Sequence, residues 1–552
     1  MRALRMGIGL SACVFLLAAC GGGGNRSGTD SGSGGGGPIT PTANVTVTIT
    51  SPAINASISQ GDPYTSTVSG SWSATNLGNG SVYLQVTDSA GSFTLPAILA
   101  APANGGFSYS LPLATAVPAG ERNGTISVRA CRDAACNTAY ANASGSVAYR
   151  LTLAQVGDWQ THGGNAAYNS HVPVQLDPSR FAKAWEWKAP RAAGAIRASI
   201  AGMVTGANGV YVRVVDHLGA DSALYTFAAL EESTGAQRWH KVFEPLYLNA
   251  GYPAFASGKI YFGTEFGSRG LVALDTADGS TAFTSAGITP NLEIDAPTPY
   301  AGSLYTNSGP NMQLPEVVSV NGSNGSRQWT YGIPPTEQGT LRSSPAVDEQ
   351  HVYYRNACCL VILDRRNGAL VASIPNPSEN LTINGIRSTD TFIGSRGNIL
   401  SHTSIVGRAT QSLSSFNLSA RSHEWTLTLS KYPSIAIAGG IIYASPMQEG
   451  QPLLQALDEA TGQFLWAWNP PAAEAQTSIA SNIVVTRNLV FLSTVNATTM
   501  AGRLWAIDIG TRQPVWSYPA WGSIAISANR TLYLSAPGTG TEDDSLIAIR
   551  LH

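Results

Sequence analysis

Ala456-Leu457-Asp458-Glu459-Ala460-Thr461-Gly462-Gln463-Phe464-Leu465-Trp466 is the stretch on which the fold turns. It reads as a strand ending at the Asp, a tight turn whose glycine takes the left-handed conformation, and an outer strand carrying a large ring. The pattern recurs as Ala229-Leu230-Glu231-Glu232-Ser233-Thr234-Gly235 ending at Trp239, and as Ala273-Leu274-Asp275 through Gly279 to Phe283. Further copies run from Ser319-Val320-Asn321 through Gly325 to Trp329 and from Ile362-Leu363-Asp364 through Gly368 to Ala372. The series closes with Ser415-Phe416-Asn417 to Trp425 and Ala506-Ile507-Asp508 to Trp516.

Working outward, each copy is preceded by its own inner strand pair, such as Tyr252-Pro253-Ala254 with Lys259-Ile260-Tyr261-Phe262-Gly263. An eighth pair, Ser523-Ile524-Ala525 with Thr531-Leu532-Tyr533-Leu534, runs on to Leu546-Ile547-Ala548-Ile549 and lacks an outer strand. Ala184-Trp185-Glu186-Trp187 has the form of the missing one, matching Trp329-Thr330-Tyr331 and Trp466-Ala467-Trp468. With Trp185 included, the terminal positions recur every 41 to 54 residues, room for four short strands each. That is the content of a propeller blade. The expectation is an all-β chain with an eight-bladed β-propeller over 153–552, its last blade built from both ends of the array. Trp185, Trp239, Phe283, Trp329, Trp425, Trp466 and Trp516 are its structural docking residues. Ala372 replaces a ring and Arg512 replaces a glycine, so two contacts between blades are expected to be weaker.

The repeat resembles the tryptophan-docking motif of the pyrroloquinoline-quinone (PQQ) propeller family, Ala-x-Asp-x-x-Thr-Gly-x-x-x-Trp, and residues 456–466 match every named position. Two branches of that family fit an envelope protein. One comprises quinoprotein dehydrogenases, which hold PQQ and calcium in the propeller axis and oxidise alcohols or sugars. The other comprises non-enzymatic lipoproteins resembling the B subunit of the outer-membrane β-barrel assembly machinery. The resemblance implies a vicinal disulfide against the cofactor in the first branch, and Cys358-Cys359 is the one feature suggesting it. Here the pair lies mid-array and runs straight into a third strand, so buried thiols or a structural vicinal bridge are the competing readings.

Upstream, residues 44–152 carry short alternating runs such as Val45-Thr46-Val47-Thr48-Ile49 and Phe107-Ser108-Tyr109-Ser110-Leu111. Period two over about 100 residues reads as an immunoglobulin-like β-sandwich. Cys131 and Cys136 flank a four-residue turn between strands, which suits a structural bridge across a hairpin. Before the sandwich, residues 20–43 form a Gly/Ser-rich tether, and residues 1–19 read as a signal peptide with Arg2 and Arg5 ahead of a short apolar run. Leu17-Ala18-Ala19-Cys20 resembles the lipobox of bacterial lipoproteins, which implies lipidation of Cys20. Gly21 rather than Asp at the next position implies an outer-membrane anchor facing the periplasm.

Composition excludes more than it selects. A net charge of −2 with only 12% charged residues leaves no basic face for nucleic acid. No His-Glu-x-x-His, Gly-x-Ser-x-Gly, phosphate-binding glycine loop or metal-spaced Cys/His cluster is present. His351 and His402 fall on expected inner strands, facing the channel or held as hydrogen-bonded structural residues. Glu542-Asp543-Asp544 is either a cation loop or a solvated turn. No catalytic, cofactor-binding or metal-binding set stands out. The expected function is a monomeric, lipid-anchored scaffold binding an envelope protein, with a PQQ-dependent dehydrogenase and a glycan-binding surface protein as alternatives.

Overall fold

The computed structural model describes residues 42–551 apart from 104, 115–116, 220–222, 244–250, 264–269, 286, 289–295, 310–315, 335–343, 357, 378–385, 406–410, 431–432, 449 and 475–476. Cys20, the signal peptide and most of the tether lie outside the described residues. Among those described there is no α-helix; the regular structure is strand with two short 3-10 turns.

The N-terminal part is two sheets packed face to face. One orders Asn44–Ile49, Thr65–Thr75 and Gly106–Pro112; the other is five-stranded, with Ala139–Ala154 between Ile54–Ser59 and Gly120–Cys131. Alternate residues of both sheets, Val45 and Val47 against Ile126, Val128 and Val147, fill a shared core. The sulfurs of Cys131 and Cys136 are paired across the turn between the two longest strands.

Eight antiparallel sheets of the repeat region follow. The first orders Arg197–Gly206, Gly209–His217, Ala223–Glu231 and Gln237–Phe243, and the next six repeat this innermost-to-outermost order. In the seventh, the innermost strand is split into Ser478–Ile479 and Val484–Val485. The eighth takes Ser523–Ile526, Thr531–Ala536 and Ser545–Arg550 from the C-terminal end and Ala182–Lys188 from the other, with Trp185 opposite Ala548. One core joins the first, seventh and eighth sheets through Val212, Phe491 and Leu534, so the array closes on itself.

The same bulge sits between the third and fourth strands of every sheet, and the register around it explains the motif. It sets each ring opposite a small residue: Trp239 against Ala229, Phe283 against Ala273, Trp329 against Ser319, Trp425 against Ser415, Trp466 against Ala456 and Trp516 against Ala506. Trp185, Trp239, Phe283, Trp329 and Trp425 each cover the turn glycine of the following sheet. A Cβ on Gly235 would lie 2.6 Å from the Trp185 ring, and one on Gly368 2.5 Å from that of Trp329. These glycines are at φ +74° and +73°, so conformation and close approach both demand glycine. The indole N–H of Trp185 donates to the Glu232 carbonyl at 2.8 Å, and those of Trp239 and Trp329 donate to Thr276 and Arg365.

Both expected weak contacts are compensated. Where Ala372 replaces the ring, its cross-strand partner is Ile362 rather than Ala or Ser, so the bulk has moved across the pair. Arg512 adopts φ +60° in the glycine's place and sets its guanidinium 5.8 Å from the centre of the Trp466 ring.

Candidate functional site

Between the sandwich and the first propeller strand, residues 156–177 form a strap with little regular structure, which nonetheless satisfies its backbone groups on the ring. Thr205 N donates to the Trp159 carbonyl at 2.9 Å, Phe255 N to Gln160 at 2.8 Å, and Val347 N to Ala166 at 2.9 Å. Ile393 N, Ile437 N and Val485 N donate to Ala167, Asn169 and Ser170, and Tyr168 reaches the third sheet through a 2.7 Å bond between its hydroxyl and that of Thr298. These contacts fall on or near the innermost strands of seven sheets, several at their C-terminal ends, so the strap crosses the axis near one mouth of the ring. Gly163 and Gly164 let it turn, since a Cβ on the first would meet Tyr168 at 2.8 Å and one on the second the Trp159 ring at 3.0 Å.

The sandwich docks on the same side. Asp62, buried, accepts from Arg530 at 2.7 Å and from the Gln175 N–H at 2.8 Å, with Arg487 at 3.1 Å. Ser59 donates to the strap carbonyl of Pro173, and Arg530 also bonds the Gln60 and Gln175 carbonyls. Arg487 and Arg530 lie in the turns after the innermost strands of the seventh and eighth sheets, so one side of the axis is roofed by strap and sandwich together.

Under that roof lies a cavity of about 420 Å³. Trp159, His162 and Tyr168 of the strap form its ceiling, and its walls come largely from innermost strands or the residues just before them. Tyr252, Asp390, Phe392 and Ser523 are among these. Asn482 ties two walls together, its amide exchanging a pair of 2.9 Å bonds with the Ile524 backbone. His162 packs tilted 4.8 Å from Tyr168 and 5.5 Å from Tyr252, and burial pulls its imidazole down to about 4, so it is neutral. The carboxyl of Asp390 stands half-buried at the wall with no hydrogen bond or ion pair among the described residues, and burial pushes it up to about 7.

The residues singled out in the sequence lie elsewhere. Cys358 and Cys359 are paired with each other where the third strand of the fourth sheet begins, and Asn356 Oδ1 accepts from both of their N–H groups at 3.1 and 2.7 Å. Neither lines the axial cavity. His351 and His402 are on second strands, not innermost ones; the first contacts the Tyr353 hydroxyl at 3.3 Å and the second Gln411 at 2.9 Å. The acidic triplet divides: Glu542 is exposed in its turn, while the two aspartates are engaged. Asp543 accepts from Arg191 and the Ala198 N–H, and Asp544 from Arg197 and the Ile200 N–H, at 2.8 to 2.9 Å. The two aspartates latch the eighth sheet onto the first. No group of three or more His, Cys, Asp or Glu side chains placed to hold a metal ion occurs among the described residues.

The cavity escaped the sequence reading because the strap carries no strand period. Its signals were Trp159, the Gly163-Gly164 pair and a run of Asn and Ser immediately ahead of the repeats.

Set beside known proteins, residues 225–468 match the family described as outer membrane protein assembly factor BamB. No curated protein matches the chain. Among solved structures, BamB from Moraxella catarrhalis is similar at 12% identity and a TM-score of 0.46, over 67% of this chain and 100% of that one. The quinohemoprotein alcohol dehydrogenase of Comamonas testosteroni is similar at 14% identity and 0.48, over 71% and 80%. A europium-containing methanol dehydrogenase is similar at 12% and 0.38, over 72% and 98%. Over residues 225–468 the repeats resemble the PQQ-type propeller repeats of that family.

Proposed function

We propose that this PQQ-repeat propeller resembling BamB is a non-enzymatic cell-envelope scaffold, an eight-bladed ring on an immunoglobulin-like spacer, held at the outer membrane through lipid on Cys20. It acts as a monomer that presents a loop face to an envelope protein, in outer-membrane protein assembly. The observation that carries the reading is the roofed axis. Strap and sandwich occupy one side of the ring, so a large partner meets the opposite side, where strands begin rather than end. Ile196 and Met500 stand exposed there, with Trp521 donating to the Met500 carbonyl, and apolar and aromatic side chains of this kind anchor protein interfaces.

The family's enzymatic branch would place PQQ, a tricarboxylate, and calcium in the axis. The residues present do not fit that pair. The charged side chain lining the cavity is the carboxyl of Asp390, which repels an anionic quinone, and no Lys or Arg lines it among the described residues. A calcium ion would find one carboxyl where several oxygen ligands are needed. Reconstitution tests this reading: the protein incubated with PQQ and calcium is expected to retain no quinone absorbance and to reduce no dye with a panel of alcohols and sugars. Stoichiometric quinone with turnover would overturn it.

A further inference from the structure

The geometry points to the axial cavity as a binding site for a small organic cation, an amine or quaternary ammonium compound, seated between the carboxylate of Asp390 and the aromatic side chains of the strap and walls. The inference stands apart from the scaffold reading, because it concerns the axis rather than the loop face.

Three observations carry it. The cavity, at about 420 Å³, is within the range of small-molecule sites, roughly 300 to 1,000 Å³. Its lining combines Trp159, Tyr168, Tyr252 and Phe392 with a single carboxylate, the composition that recognises a cation through ring faces and one counter-charge. Phe392 follows Asp390 by two residues on the same innermost strand, so backbone alternation presents both to one side.

The third observation is that the Asp390 carboxyl has no partner among the described residues. A carboxyl partly withdrawn from water without a donor is costly, and the buried acids of this chain are supplied: Asp62 by two arginines, Asp544 by Arg197 and two N–H groups, Glu232 by Ser527 and Asn529. Asp390 alone among these faces a void, with a ligand-sized space in front of it. The other titratable groups lining the void are His162 and Tyr168 of the strap and Tyr252 ahead of the second sheet. His162 is held neutral by burial, so it neither repels an incoming cation nor neutralises the carboxylate. The positive charge of an ammonium group favours the ionised form of Asp390, whose carboxyl sits near 7, so binding releases that proton to solvent and strengthens with pH.

The test is calorimetry on the mature protein in detergent with choline and tetramethylammonium, against 3,3-dimethylbutanol, the uncharged isostere of choline. The cations are expected to bind and the alcohol at least tenfold more weakly. Affinity for choline should rise roughly 20-fold from pH 5.5 to 7.5, as an acid near pH 7 ionises. Asp390→Asn, which removes a buried charge without changing shape, should cost at least tenfold in affinity and abolish the pH dependence. Tyr252→Leu should weaken both cations while leaving the pH dependence in place. The proposal is overturned if the alcohol binds as well as choline, if neither cation binds below 10 mM, if calcium alone occupies the site, or if Asp390→Asn keeps its affinity.

Discussion

Replacing Asp544 by Ala removes one jaw of the latch that joins the last sheet to the first. Its Oδ1 accepts from Arg197 at 2.8 Å and the Gly538 N–H at 3.0 Å, and its Oδ2 accepts from the Ile200 N–H at 2.8 Å. The carboxylate is buried, whereas Arg197 is 31% exposed and can turn to water, so the lasting loss is the two amide donors. Hydrogen bonds to a charged group contribute about 1.5 to 3 kcal/mol each, which puts the destabilisation at about 3 to 5 kcal/mol. A propeller of about 400 residues gains near 2.1 cal/mol/K per residue on unfolding, so about 4 kcal/mol lowers the Tm by about 5 °C. Calorimetry would read this directly, with Glu542→Ala as the control, since Glu542 is exposed and bonds only within its own turn to Thr539. Ring opening should add aggregation, because the unlatched sheet exposes strand edges. Equal Tm values for the two variants would refute the latch.

Asp390 confers pH dependence of the opposite sign to an ordinary salt-bridged acid. Its folded-state value, about 7, lies above the usual 3.8, so its contribution is fully present below about pH 4 and is lost as pH rises to about 7. Three pH units correspond to about 4 kcal/mol; with water in the cavity about 2 kcal/mol is expected, and the difference between wild type and Asp390→Asn across pH 4 to 8 measures it. Asp62→Ala removes the shared counter-charge of Arg487 and Arg530 at the sandwich junction, a loss of about 2 to 3 kcal/mol because both keep other hydrogen bonds, and should raise the radius of gyration in X-ray scattering while leaving the propeller melt in place. Cys20→Ala should abolish palmitate labelling and release the protein from the membrane fraction; label retained in the variant would sink the anchor.

Much of the ring was legible because its physics is local and repeated. A small residue, a turn glycine and a ring at fixed offsets carry strand, turn and docking together, and Trp185 could be assigned to the far end of the array from its flanking pattern alone. What failed to show were the relations between distant segments. Ile362 opposite Ala372 looks like a defect until the register pairs them. Asp543 and Asp544 look like a solvated turn until Arg191 and Arg197, some 350 residues earlier, arrive beside them. The strap was missed for a similar reason: its hydrogen bonds go to eight different sheets, so no periodicity marks it. Asp390 sits in a strand whose charge looks unremarkable until the axis closes around it.

Photocrosslinking in living cells from the two faces of the ring tests the scaffold most directly. A crosslinking residue at Met500 or Trp521, on the unroofed side, is expected to give a discrete adduct with one envelope protein. The same residue at Ser323 or Asn529, in turns on the roofed side, should give none. Adducts from the roofed side alone, or none from either, would contradict the account.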